Sequence, residues 1–322
     1  MQTPRPDHNI ASKFMNTGSA QLNKPSIGSW MLYGLGSVNQ NMPGFISLNG
    51  NPEWRQCAFM PGMFQGCNVQ YKRGAKIEDL IPNLASQFST PARQRHQIDL
   101  SKQLNEMHMD RIMRDTQLES RIETFETAFK MQTEATDAFD VAKEPANIKE
   151  LYGTTEEGTR LMIARRLVER GVRYVQVHVG GFDHHDDIGN RMRTTAGKYD
   201  QAIAALLTDL KQRGLLDSTL VIWGGEFGRT VTAGGGAGAP GRDHNGKAFS
   251  VWMAGGNIKG GQRYGSTDET GGKAVSNITT IHDLHATILH LMGFEHTKLL
   301  YNYNGRNFRL TDVYGEVVKD II

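Results

Sequence analysis

The second half of the chain alternates between apolar runs of strand length and longer segments with apolar residues at helical spacing. The runs 174–179, 220–223 and 249–254 have the length and composition of buried strands. Helices are predicted over residues 158–170, 196–213 and 282–291, each closed by a glycine at or just beyond its end. This alternation predicts an α/β fold with a mostly parallel sheet flanked by helices.

The first half has a less regular pattern. Residues 1–75 are rich in Gly, Asn, Pro and Met, and predict short helices at 10–15 and 28–35 and a strand at 45–48. Residues 91–145 carry apolar side chains at helical spacing, with Ile122, Phe125 and Phe129 on one face. We interpret 91–145 as a helical insertion or cap on a single domain that spans residues 1–322. The simpler interpretation, which we favour, is a solvated amphipathic helix pair that has no part in the chemistry.

Composition narrows the class of protein. The chain has 322 residues, of which 38% are hydrophobic and 22% charged, as in soluble globular proteins. A net charge of +2 gives no argument for a nucleic-acid or membrane partner. No stretch approaches the roughly 18 apolar residues of a membrane span, and residues 1–6 lack the apolar core of a signal peptide. Cys57 and Cys67 could form a disulfide or remain free thiols. The glycines at 234–238 do not match a nucleotide-binding fingerprint.

Five consecutive polar residues follow the predicted strand 174–179, and all five can bind a divalent metal: Asp183, His184, His185, Asp186 and Asp187. Ligands of open α/β sheets collect outside the carboxyl ends of the strands. Carboxylate and imidazole groups suit Zn²⁺, Mn²⁺ or Fe²⁺, so Asp183 and His185 are the predicted ligand pair. We expect His184 to point away and the two later aspartates to cap the next helix. The alternative is a polar turn with local hydrogen bonds.

Two further segments bring polar residues to strand ends. Glu226 follows the strand 220–223 through two glycines, and Arg229 could bind an anionic oxygen through two hydrogen bonds. The alternative is a Glu226–Arg229 salt bridge that holds the loop. His244 lies in a loop before the next strand, and we expect it to converge with Asp183 and His185 on one ion. Polar residues that begin the last helix are expected to be caps: His282, Asp283 and His285.

The chain resembles the domain-of-unknown-function 1501 family, which is sulfatase-like and belongs with the alkaline phosphatase superfamily. The resemblance runs essentially end to end. It rests on FMNTG at 14–18, SIGSW at 26–30, YGLG at 33–36, ARRLVERGV at 164–172, FDHH at 182–185, GEFGRT at 225–230 and GRDH at 241–244. It implies a parallel sheet that carries a site with one or two metal ions, and an enzyme that cleaves phosphate or sulfate esters at this site.

The resemblance also implies a ligand set. Asp183 and His185 match the pair that binds the first metal, and His244 matches the later histidine of the same shell. Glu226 occupies the place of a ligand aspartate, with Phe227 where a histidine is expected, which weakens a second metal site. The implied metal ligands are therefore Asp183, His185, Glu226 and His244, around a divalent ion such as Zn²⁺, Mn²⁺ or Ca²⁺.

Two departures from the family pattern affect the expected chemistry. His8 stands where sulfatases place their nucleophile; a histidine can attack phosphorus, bind metal or have no role. His8 and Arg229 are thus the candidate catalytic residues. The family's first ligand aspartate lies on a strand upstream of Met1. We therefore expect a sheet that lacks one strand, exposes apolar surface around Val175 and Val221, and binds metal less tightly than an extended chain.

The expected function is metal-dependent hydrolysis of an anionic sulfate or phosphate ester, with a sulfated or phosphorylated carbohydrate as one possible substrate. The alternatives are a non-catalytic metal- or carbohydrate-binding protein and a phosphotransferase of the same superfamily. We expect no nucleic-acid partner. A periplasmic or secreted location is expected for a longer form, although this sequence carries no signal for it.

Overall fold

The computed structural model describes residues 1–75, 77–80, 88–109, 116–131, 136–232, 234 and 240–322. Its helices are α1 (His8–Thr17), α2 (Ile27–Leu35), α3 (Ile77–Leu80), α4 (Pro91–Met109), α5 (Thr116–Lys130), α6 (Thr136–Phe139), α7 (Ala146–Tyr152), α8 (Glu156–Glu169), α9 (Ile188–Gln212) and α10 (Ile281–Leu291). Its strands are β1 (Phe45–Leu48), β2 (Cys67–Val69), β3 (Tyr174–Val177), β4 (Val221–Gly224), β5 (Gly228–Arg229), β6 (His244–Asn245), β7 (Val251–Ala254), β8 (Ser266–Thr267), β9 (Ala274–Ser276), β10 (Tyr301–Tyr303) and β11 (Arg306–Phe308).

The fold is a mixed α/β architecture around a small parallel sheet. That sheet has the order β2-β1-β3, with Ile46 of β1 opposite Cys67 and Val175. The other sheets in the described ranges are antiparallel pairs, among them β4 with β7. The prediction of a mostly parallel sheet is therefore wrong for β4 and β7. Parallel neighbours need a long crossover, usually a helix, and the described residues between β4 and β7 form none.

Helices cover both faces of the parallel sheet. On one face, Ile46 and Leu48 of β1 join a buried cluster with Ile163 and Leu167 of α8. Successive side chains of a strand point to opposite faces, and Phe45 accordingly packs against the other layer. That layer is formed by α2 and α10, whose buried residues share a second cluster. The predicted flanking of a sheet by helices is confirmed for this part of the molecule.

Close approach of α2 to the sheet depends on a glycine. A Cβ at Gly28 would lie 2.5 Å from the ring of Phe45. That ring meets Tyr174 edge to face, with 4.9 Å between ring centroids. Two residues after Gly28 on the same helix, Trp30 is 1% exposed. The absence of a side chain at position 28 thus lets α2 place a large buried aromatic residue over β1 and β3.

The predicted boundaries of most elements hold to within two residues, but α9 is an exception. It begins at Ile188 rather than at residue 196. Gly189 and Gly197 lie in its first three turns, and glycine is unfavourable inside helices. The composition of this segment therefore does not predict the helix. Contacts with other parts of the chain support it, such as the hydrogen bond from Ile188 N to Pro240 O.

The insertion 91–145 contains the helix pair α4 and α5, as predicted. The two helices are joined by Arg95, which pairs with Glu126 at 2.7 Å. Ile122 is buried, whereas Phe125, which helical spacing places on the same face, is 60% exposed. The backbone N–H of Met63 donates to Ser120 Oγ at 3.0 Å and ties α5 to the N-terminal third of the chain.

A buried ionic network joins the end of this insertion to α8 and α9. The guanidinium of Arg165, which is 1% exposed, lies 2.8 Å from both Glu144 and Asp209 and 2.9 Å from Glu169. Arg166 also pairs with Glu144. Buried charges are stable only when they are paired and hydrogen-bonded, so these contacts hold the three segments in one arrangement.

Two buried histidines of α10 hold the C-terminal end of α1. His282 Nε2 lies 3.0 Å from the carbonyl of Gly18, and His285 Nε2 lies 2.8 Å from that of Met15. Neither is a helix cap, contrary to expectation. Asp283 does cap the helix, in a reciprocal arrangement with Thr280.

Stability should fall in acid because of His285. Burial lowers the pKa of His285 from 6.5 to about 4. Between these values the unfolded chain takes up a proton that the folded chain does not, so stability present at neutral pH is lost as the pH falls. The expected loss between pH 7 and pH 4 is about 3 kcal/mol.

Urea unfolding at several pH values measures this effect. In His285→Gln, whose amide can still donate to the Met15 carbonyl, this part of the pH dependence should disappear. If both proteins lose equal stability between pH 7 and pH 4, His285 is not the group responsible.

Three smaller expectations concern exposure and the cysteines. Val175 and Val221 are half-buried, and Ile222, the residue after Val221, is 38% exposed. Cys57 and Cys67 are free thiols, and burial raises the pKa of Cys67 to about 11. In the described part of the chain, no helix has the length and apolar character needed to cross a membrane.

Candidate metal centre

Three chain segments meet beyond the C-terminal end of β3. The first is the loop that leads from β3 to α9 and carries Asp183. The second is the β5–β6 pair, in which Arg229 lies directly opposite His244. Because side chains of opposed residues in an antiparallel pair lie on the same face, Arg229 and His244 both reach Asp183. The third is the first turn of α1, which brings His8.

The loop before β6 lies directly on the loop after β3. A Cβ at Gly241 would lie 1.9 Å from the carbonyl carbon of His185, so only glycine permits this approach. The neighbouring N–H of Arg242 donates to the carbonyl of His184 at 2.9 Å. These backbone contacts place Asp243 and His244 beside Asp183.

The carboxylate of Asp183 is the centre of the site. Its Oδ1 lies 2.5 Å from Arg229 Nη1, 2.9 Å from His185 Nε2 and 3.1 Å from His244 Nε2. Its Oδ2 lies 3.2 Å from His8 Nε2. Burial alone raises the pKa of Asp183, but the hydrogen bond from Arg229 and the positive charge of its guanidinium outweigh it and hold that pKa well below its usual range. Asp183 is therefore an anion with three imidazole rings around it.

The far nitrogen of each imidazole ring faces an oxygen. His8 Nδ1 lies 2.6 Å from Glu226 Oε1, and His185 Nδ1 lies 3.1 Å from Asp243 Oδ1. His244 Nδ1 lies 2.9 Å from the carbonyl oxygen of Pro6. A carbonyl oxygen only accepts hydrogen bonds, so this contact assigns the proton of neutral His244 to Nδ1 and leaves a lone pair on Nε2. Metal-binding histidines are typically held in this way, with the other ring nitrogen donating to an oxygen.

The ligand atoms of His8, Asp183 and His244 lie within 4.8 Å of one another, close enough to share one metal ion. The predicted convergence of Asp183 and His244 is thus present in the geometry. His185 contacts Asp183 but does not belong to this group of three. Glu226 does not belong to it either, and its carboxylate contacts His8. Arg229 pairs with Asp183 rather than with Glu226.

The residues after Asp183 differ from their expected roles. His184 is 5% exposed, and it does not belong to the group of residues whose ligand atoms converge. Asp187 precedes α9 at φ 39°, and its side chain caps no backbone N–H but accepts from Asn190. Asp186 pairs with Arg191. The prediction that both aspartates cap the helix is wrong, because the Asp187 side chain accepts from the Asn190 side chain instead of a backbone N–H, and Asp186 pairs with Arg191.

An open, shallow depression of about 560 Å³ lies beside Asp183. Its walls include His184 from the loop and Asn190, Arg191 and Thr195 from the first turns of α9. These side chains can donate hydrogen bonds to a polar group. The centre therefore has space next to it for a small polar molecule.

Sequence reasoning missed Asp243 and Pro6 as partners of the histidines. Asp243 stands next to His244 in a segment singled out for its histidine, so that segment held the signal. Pro6 contributes through its backbone carbonyl, which no residue pattern reveals.

Fold and site together define a mixed α/β protein with a histidine–carboxylate cluster of the kind that binds a divalent metal ion. The chain belongs to the family described as protein of unknown function DUF1501, whose model matches residues 1–322. No curated protein and no solved structure matches it.

Proposed function

We propose that the protein is a metal-dependent hydrolase of sulfate or phosphate esters, built on an alkaline phosphatase- or sulfatase-like fold. The observation that carries the proposal is the convergence of His8 and His244 on Asp183, with the outer nitrogen of each ring held by an oxygen. The resemblance of the sequence to sulfatase-like proteins supplies the class of reaction.

The donor set fits a transition metal. One carboxylate oxygen and two imidazole nitrogens, with room for a further ligand, match a catalytic Zn²⁺ site, and Mn²⁺ accepts the same donors. Ca²⁺ prefers six to eight oxygen ligands, so the two histidines argue against it. An ion bound here would polarise the ester oxygen and lower the pKa of the attacking group.

Arg229 is suited to bind the anionic part of the ester. Its side chain is 24% exposed, and its guanidinium lies against Asp183 at the edge of the centre. A guanidinium carries five donors and pairs well with sulfate or phosphate oxygens. The depression along α9 has room for the alcohol part, whose hydroxyl groups could bond to Asn190 and Thr195.

The second candidate is a metal-binding protein without turnover. Within the described ranges, no Ser, Thr or Cys side chain hydrogen-bonds to Asp183 or His8. A phosphotransferase that works through a phosphorylated intermediate would have to use a histidine or a carboxylate of the centre as its nucleophile, so that alternative is the weakest of the three.

Metal binding and ester hydrolysis by the purified full chain test the proposal. We expect one equivalent of Zn²⁺ or Mn²⁺ per chain and metal-dependent hydrolysis of p-nitrophenyl sulfate or phosphate. Asp183→Ala should weaken metal binding by more than about 100-fold, since removing a residue that only orients a metal ligand already costs about 10–100-fold. His290→Ala, which changes an exposed histidine on α10, is the matched control and should bind as the wild type does.

The outcomes separate the candidate functions. One bound metal without hydrolysis of either ester identifies a binding protein. Hydrolysis that persists after chelation, or an Asp183→Ala variant that binds metal normally, rules out this centre as the metal site.

A further inference from the structure

His8 and Glu226 form a pair whose geometry assigns a separate role to each. His8 is a ligand of the proposed centre through Nε2, and we infer that Glu226 is a positioning residue that holds His8 without binding the ion. The inference rests on the proposed function, because it concerns the same site. It also departs from the sequence-based expectation, which gave His8 the place of a nucleophile and Glu226 that of a ligand.

The ring of His8 is held on several sides. His8 is the first residue of α1, after Asp7, whose side chain accepts from Ile10 N at 3.2 Å. Its ring centroid lies 4.5 Å from that of His244 and 4.9 Å from that of Phe227. A ring fixed by packing and by a helix start can hold a ligand atom in one place.

The Nε2 atom of His8 is shielded from solvent and makes no hydrogen bond with the described residues. It nevertheless lies 3.2 Å from Asp183 Oδ2. A buried polar atom without a partner is costly, and native structures usually satisfy such atoms with protein, water or an ion. A cation shared with Asp183 and His244 would satisfy it.

Glu226 determines which nitrogen of His8 is free. Its Oε1 lies 2.6 Å from His8 Nδ1, and an ionised carboxylate can only accept a hydrogen bond. The proton of neutral His8 is therefore on Nδ1, and the lone pair of Nε2 faces Asp183. This carboxylate–histidine arrangement fixes the orientation of the ring as a metal ligand.

The residue next to Glu226, Phe227, is aromatic and contacts both histidines of the proposed ligand set. Phe227 is 9% exposed and packs against His8 and against His244, with ring centroids 4.4 Å apart in the second contact. The resemblance expects a metal-binding histidine at this position. Here the aromatic ring packs against both histidines. A phenyl ring has no metal-binding atom, so this residue favours a centre with a single ion.

A nucleophilic role for His8 fits this geometry poorly. An attacking Nε2 would have to approach the phosphorus or sulfur of an anionic ester. The carboxylate of Asp183, 3.2 Å from that nitrogen, would repel the ester's charge. An ion between the two groups removes this conflict, which favours the ligand role.

Titration of Zn²⁺ and Co²⁺ into the full chain tests the assignment without relying on activity. His8→Gln should weaken Zn²⁺ binding by more than about 100-fold and change the visible spectrum of the Co²⁺ form. Glu226→Ala should weaken it by about 10–100-fold. Glu226→Gln should recover most of that loss and keep the wild-type Co²⁺ spectrum, because its amide oxygen can still accept from Nδ1. Glu316→Gln changes an exposed acid and is the matched control.

The results that overturn the inference differ from those that overturn the proposed function. Circular dichroism first establishes that each variant is folded. If Glu226→Gln loses as much affinity as His8→Gln and alters the Co²⁺ spectrum, Glu226 is itself a ligand. If His8→Gln binds Zn²⁺ like the wild type, His8 is not a ligand. Either result leaves hydrolysis by the wild type intact, whereas a wild type that binds no metal overturns both proposals.

Discussion

Replacing Arg165 with alanine is expected to lower the free energy of unfolding by about 3–5 kcal/mol, because it breaks a buried ion pair and leaves charges unpaired. Asp209, 1% exposed, and Glu144, 6% exposed, would each lose a contact at 2.8 Å. Urea unfolding followed by circular dichroism measures the change. Arg173→Ala, an exposed arginine just before β3, should stay within about 0.5 kcal/mol of the wild type.

Two other arginines of the network can partly replace Arg165, and this sets the lower limit of the expected loss in the free energy of unfolding. Arg166 keeps its contact with Glu144, and Arg213 keeps one at 2.6 Å with Asp209. A loss below about 1 kcal/mol would mean that these two arginines suffice and that Arg165 adds little. The expected larger loss would show that the insertion is held to α8 and α9 by charge as well as by apolar packing.

The sequence predicts the elements of this fold better than their arrangement. The strand 45–48 and the helix that ends near Leu291 are found where hydrophobic periodicity places them. Strand direction is not encoded in that periodicity, since an apolar run suits a parallel or an antiparallel neighbour equally. The pairing of Val221–Gly224 with Val251–Ala254 depends instead on the connection between them. That connection carries the small β5–β6 pair, which contributes Arg229 and His244 to the candidate metal centre.

For the candidate site, too, the sequence predicts the residues better than their arrangement. Asp183 and His244 are recognisable from chemistry, because a carboxylate and an imidazole near strand ends are ordinary metal ligands. The roles of Glu226 and His185 depend on which ring nitrogen faces which oxygen, and this is set by distances of 2.6 Å and 3.1 Å between residues far apart in the chain. Sequence spacing contains no information on such contacts.

The centre depends on backbone contact between two loops, and Gly241 is the residue that permits it. Gly241→Ala is expected to lower the affinity for Zn²⁺ by at least about 10-fold, a loss comparable to that of a ligand-orienting residue. The added Cβ would lie 1.9 Å from the carbonyl carbon of His185 and 2.3 Å from the backbone nitrogen of Asp186. Backbone atoms cannot yield as a flexible side chain does, so the loop must move away and carry His244 from Asp183.

The same change should lower the free energy of unfolding by about 1–3 kcal/mol, the usual cost of inserting a methyl group into a packed region. Gly197→Ala on α9 is the matched control, because a Cβ there meets no atom within 4 Å. In that control we expect unchanged Zn²⁺ affinity and a gain of up to about 1 kcal/mol from the better helix former. Zn²⁺ titration and urea unfolding of both variants decide the matter. Should Gly241→Ala bind Zn²⁺ as tightly as Gly197→Ala, His244 reaches Asp183 without this loop contact, and the ligand set needs no such close approach.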